Sequence, residues 1–102
     1  KNTLLFQIDF KKYEAAVKLS SEGLEIFPAQ ALLYLLNGVA NNGLQQSEAA
    51  IESLEIGLDF ILEDPKMERD FYEQLSLAYR TKGDTQKAKM YAEKAIAIVL
   101  PN

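Results

Sequence analysis

Residues 72–101 read YEQLSLAYRTKGDTQKAKMYAEKAIAIVLP, and this stretch decides the fold. At its middle, Gly83-Asp84 has the chemistry of a helix stop followed at once by a new start. Glycine tolerates the left-handed conformation that closes a helix, and an aspartate side chain accepts from the free N–H groups opening the next one. Two helices joined by a tight turn are the expectation.

Working outward, the same pattern recurs. Three segments end alike: Glu22-Gly-Leu-Glu-Ile-Phe-Pro28, Ile56-Gly-Leu-Asp-Phe60 running on to Pro65, and Lys94-Ala-Ile-Ala-Ile-Val-Leu-Pro101. Each is preceded by a second related cluster, Tyr13-Glu-Ala-Ala-Val17, Ser47-Glu-Ala-Ala-Ile51 and Gln86-Lys-Ala-Lys89. Ala16 to Ala50 and Gly23 to Gly57 are each 34 residues, whereas Ala50 to Ala88 and Gly57 to Ala95 are each 38. The difference equals about one α-helical turn. It falls between Gly57 and Tyr72, and lengthening the helix that ends near Glu63 is the simplest way to place it.

Periodicity inside the units is helical. Ile51, Leu54, Leu58 and Ile61 recur at i, i+3, i+7 and i+10, while Glu48, Glu52, Glu55, Asp59 and Glu63 occupy an arc of about 80° on the other side. Asp64-Pro65 reads as an N-cap followed by proline at the first helical position. Asn41-Asn42-Gly43 is expected to end a helix through its tolerance of left-handed backbone. The predicted helices are about 12–27, 29–42, 47–63, 65–82 and 84–99, with a partial helix near 3–9 and no strand.

Helix pairs at this period resemble tetratricopeptide repeats. Tyr72, Leu75, Ser76, Tyr79, Gly83-Asp84, Ala88, Ala92, Ala95 and Pro101 follow the family's order and spacing best. Tyr34, Gly38, Ala50, Leu54 and Gly57 carry the second unit, which departs at Asn37 and Asn41, where the family prefers a large apolar and an aromatic residue. Tyr13, Ala16, Gly23 and Pro28 carry the first. The resemblance implies an all-α, right-handed α-α superhelix, a solenoid of three helix-turn-helix units, the first incomplete. The units are about 1–28, 29–65 and 66–102 of a single domain, read as a piece of a longer protein because the chain begins without methionine. A concave face lined by the first helix of each pair and a convex face formed by the second are expected.

Composition fits a non-catalytic reading. The chain of 102 residues has no histidine, cysteine or tryptophan, 48% hydrophobic residues and 25% charged ones. Thiol nucleophiles, His-based triads and Cys- or His-built zinc sites are excluded by absence. No phosphate-binding glycine loop or calcium loop occurs, and no cofactor is expected. The net charge of −4 argues against nucleic acid and anionic membranes. It divides into +2 over residues 1–18, −8 over 19–65 and +2 over 66–102. Apolar runs are too short to insert into a bilayer. The sequence leaves the compartment open, cytoplasm and periplasm alike.

Function is therefore expected on the faces, with a protein or peptide as partner. On the concave face the inward-pointing residues are Leu5 and Ile8, then Leu32, Leu35, Leu36 and Val39, then Asp70, Glu73, Gln74, Leu77 and Arg80. They read either as a groove for a peptide or, for the leucines, as core or surface covered by further helices. Chaperone-binding members of the family clamp a terminal carboxylate with Lys, Arg and Asn. The matching positions here hold Leu5, Leu36, Asp70 and Gln74, so that partner class is disfavoured. The stripe Glu48, Glu52, Glu55, Asp59 and Glu63 reads either as a dock for a basic partner or as a solvated convex face. Ile96, Ile98, Val99 and Leu100 at the C-terminal end are expected to pack on another copy or on further helices. The competing class is a structural spacer or self-association module in a larger, surface-anchored protein.

Overall fold

A computed structural model describes residues 2–100, with side chains from residue 9 onward. Among the described residues it holds five α-helices and no strand: α1 (Asn2–Ile26), α2 (Ala31–Gly43), α3 (Ser47–Leu58), α4 (Pro65–Lys82) and α5 (Thr85–Ala97). Each helix packs on its neighbour in sequence, and α2 also touches α4. The result is an all-α stack of helical repeats.

The best-defined boundaries are those with local chemistry. Asp64 caps α4 by accepting from the Met67 N–H at 3.0 Å, and Pro65 occupies the first turn, where its missing donor costs nothing. Gly83 closes α4 at φ 97°, and the Asp84 N–H returns to the Tyr79 carbonyl at 2.9 Å. Asp84 then caps α5 by accepting from the Lys87 N–H at 3.1 Å.

Three expectations are corrected. The partial helix near 3–9 is not a separate element, because α1 runs unbroken from Asn2 to Ile26. No proline or glycine interrupts it before Gly23, and it ends where Pro28 disfavours helical backbone in the residue before it. The first unit is thus one long helix and not a helix pair. Helix α3 stops at Leu58, not near Glu63, and the four-residue insertion lies in the loop before Asp64. Continued helically, Phe60 would sit about 120° from Leu54, off the buried face. Leaving the helix lets it turn back and stack on Tyr34, with ring centroids 5.7 Å apart. Finally, the left-handed residue after α2 is Gln45, at φ 62°, while Gly43 stays helical. Glycine serves there for space, since a Cβ on Gly43 would lie 2.5 Å from the Tyr13 ring.

The core lies between α2, α3, α4 and α5. Phe71, Leu54 and Leu75 are its largest fully buried side chains, with Ala50, Ala78 and Ala88 where helices come closest. Gly57 sits where α2, α3 and α4 approach closely: a Cβ there would meet Tyr34 Cβ at 2.5 Å and Phe71 Cε2 at 2.7 Å. A second, polar core joins α1, α2 and α3. Asn37 donates to Ser20 at 3.0 Å and accepts from both Asn41 and Ser53. These are the positions where the second unit departs from an apolar pattern, and among the described residues no buried side-chain polar atom is left without a partner.

Candidate functional site

On α2 the residues at i, i+4 and i+7 form one exposed apolar stripe. Leu32 is 48% and Leu36 47% exposed, and Val39 completes the row. Leu35 does not belong to it. It is buried in the main core with Ala31 and Ile51. Leu35 is therefore removed from the groove residues. Leu5 and Ile8 lie outside the residues whose side chains are described.

Helix α4 contributes a more polar wall. Leu77 is exposed and apolar, and Arg80 is exposed three residues further on. Asp70 pairs with Lys66 at 3.2 Å, and Glu73 with Arg69 at 3.4 Å, both along the helix. Gln74 is turned toward α2: Asn42 Nδ2 donates to its Oε1 at 2.9 Å and to its carbonyl at 3.1 Å. That pair fixes α4 against the C-terminal turn of α2. Beside it, a cleft of about 370 Å³ opens between α1 and α4 over Gly43, lined by Asp9, Phe10, Tyr13, Asn42, Leu77 and Thr81. Sequence reading missed the α1 side of this cleft, because a helix break was expected where Asp9 and Phe10 continue α1.

The acidic stripe is shorter and less bare than its spacing implied. Glu48, Glu52 and Glu55 lie on α3, Asp59 is its C-cap, and Glu63 stands in the loop beyond it. Although α3 carries no cation, Lys82 of α4 approaches Glu48 at 3.9 Å. Glu55 accepts from the Tyr79 hydroxyl at 2.7 Å. Tyr79, Tyr91 and Tyr72 form a continuous stack with centroid separations of 5.7 and 5.9 Å, flanked by Lys87 and Lys94. Burial is the main reason that all three phenols titrate above their ordinary range, reinforced by Glu55 for Tyr79 and Tyr91 and by Glu68 for Tyr72.

Among the described residues there is no cluster of three or more potential metal-binding acids, and no helix long and apolar enough to cross a membrane. At the C-terminal end Ile96 and Val99 are exposed, while Ile98 and Leu100 are half-buried.

Residues 70–98, covering most of α4 and all of α5, match the family model described as Tetratricopeptide repeat. The match lies within the third unit and supports assigning that unit to the tetratricopeptide repeats. Such repeats generally mediate protein–protein interaction and are typically non-catalytic modules. No curated protein and no solved structure matches the chain.

Proposed function

We propose that this chain is a non-catalytic scaffold that takes a peptide or helix of a partner protein on its concave face. Leu32, Leu36 and Val39 supply the apolar anchors. Asp70, Glu73, Gln74, Leu77 and Arg80 form the wall that selects the partner, with Gln74 acting mainly through its bond to Asn42. The three units form one domain, about 1–28, 29–65 and 66–102, coiling as a right-handed superhelix. The observation that carries the reading is the α2 stripe: three large apolar residues exposed in register on a helix whose opposite side is locked into the core. Contiguous apolar surface of this kind on a folded domain marks a contact. The net charge of −4 disfavours nucleic acid, so the occupant proposed is protein.

The test is affinity capture from the native lysate with the wild type and Leu36→Glu, using Leu62→Glu, on an exposed loop away from the stripe, as control. Capture lost only with Leu36→Glu, at unchanged helicity, supports the groove. Equal capture by all three overturns it. A second reading, a spacer or self-association module, draws on the exposed apolar residues of α1 and α5.

A further inference from the structure

Among the described residues, α1 packs against α2 alone. It uses one side for this: the Tyr13 ring over Gly43, Gly23 against Leu33, and Ser20 bonded to Asn37. The side turned away is not an ordinary solvated face. Lys12, Ala15, Leu19, Glu22 and Ile26 are all exposed, and they follow one another at alternating intervals of three and four residues. This is the a/d spacing of a helix seam that pairs with another helix. Leu19 is 68% and Ile26 71% exposed, among the barest large apolar side chains of the described residues.

We propose that this face binds the same face of a second copy, with the two α1 helices antiparallel about a two-fold axis level with residue 17. In an antiparallel helix pair each a position faces a d position of the other helix, and a two-fold interface requires that if i meets j, then j meets i. The sequence meets that requirement. Lys12 and Glu22 are equidistant from residue 17, as are Ala15 and Leu19. Lys12 of each copy therefore faces Glu22 of the other, and each Leu19 fits over the small Ala15. On the flank, Lys11 approaches Glu25 of the second copy. A parallel pair would instead set Lys12 on Lys12 and Glu22 on Glu22. The order of charges thus selects both the orientation and the occupant, since an unrelated helix gives no reason for these positions to be symmetric. Lys18 meets its own copy near the axis, where an exposed, flexible side chain turns to water at little cost.

Sedimentation equilibrium of the 102-residue chain tests the proposal, with circular dichroism to confirm folding. A monomer–dimer equilibrium is expected. Lys12→Glu and Glu22→Lys each weaken it about tenfold or more, and the double exchange K12E/E22K restores it to within about threefold. Leu19→Glu abolishes the dimer, whereas Val99→Asp, at the far end of the stack, leaves it unchanged. A strict monomer up to about 1 mM overturns the proposal. So does a dimer indifferent to the single exchanges, or one that the double exchange fails to restore. Leu36→Glu leaves the dimer intact, so failure of the groove reading and failure of this one are separable.

Discussion

The Tyr79 hydroxyl donates to the Glu55 carboxylate across 2.7 Å, joining α4 to α3 beside the Tyr91 ring. The neutral phenol is therefore favoured in the folded protein, whereas an unfolded tyrosine titrates near 10.0. Because the folded value is raised, the contribution is fully present below pH 10.0 and is lost as pH climbs toward the folded value. Tyr72 and Tyr91 act in the same direction. The urea midpoint is expected to fall steadily above pH 10.0, and more gently in Tyr79→Phe. An alkaline slope identical in the two proteins would refute this account. At neutral pH, losing the hydrogen bond costs Tyr79→Phe about 1 kcal/mol.

Asn37 is the junction of three helices, with Ser20 on α1, Asn41 on its own helix and Ser53 on α3. Asn37→Ala strands several buried polar groups at once and is expected to cost about 2–3 kcal/mol in urea unfolding. Ser53→Ala removes a single partner at the margin and should cost about 1 kcal/mol. Equal losses would mean that the network is not centred on Asn37.

Gly57 and Gly83 offer a contrast between packing and conformation. Gly57→Ala forces a methyl into Tyr34 and the buried Phe71 ring, and overpacking of this kind costs about 1–3 kcal/mol. Gly83→Ala meets nothing within 4 Å, but its left-handed backbone disfavours a side chain by about 1–2 kcal/mol. Gly83→Asn should recover part of that loss, while Gly57→Ser should recover none. Thermal unfolding of the four variants reads both effects.

Asn42 reaches Gln74 through side chain and backbone, and the bond holds two helices that are not neighbours in sequence. Asn42→Ala is expected to cost about 1 kcal/mol and to raise hydrogen exchange in the C-terminal turn of α2. Exchange unchanged from the wild type would show that the apolar contacts alone fix α4.

What the sequence made legible was whatever is decided locally. Asp64-Pro65 and Gly83-Asp84 carry their stop and start chemistry within a few residues, so the ends of α4 could be read directly. The end of α3 could not, because it depends on Phe60 finding Tyr34, which no helical period contains. Leu35 was misplaced for a related reason. Ala31–Leu36 is apolar throughout, and only the packing of the neighbouring helices decides which of two adjacent faces is covered. Asn37 and Asn41 were recognised as departures from the pattern, but their purpose lay in serines about sixteen residues away on other helices. Of the candidate site, the α2 stripe was legible apart from Leu35. The α1 side of the cleft was not.

The order of packing has a mechanical consequence. With α1 packed, among the described residues, on α2 alone, a pull on the amino end loads one interface at a time. The first helix would peel off as a unit, spending the Asn37–Ser20 bond and the Tyr13–Gly43 contact, before α3 and α4 felt any strain. Resistance to unravelling then resides in Phe71, Leu54 and Leu75 at the centre, so the molecule behaves under tension as a zip with a fast opening stretch and a firm middle.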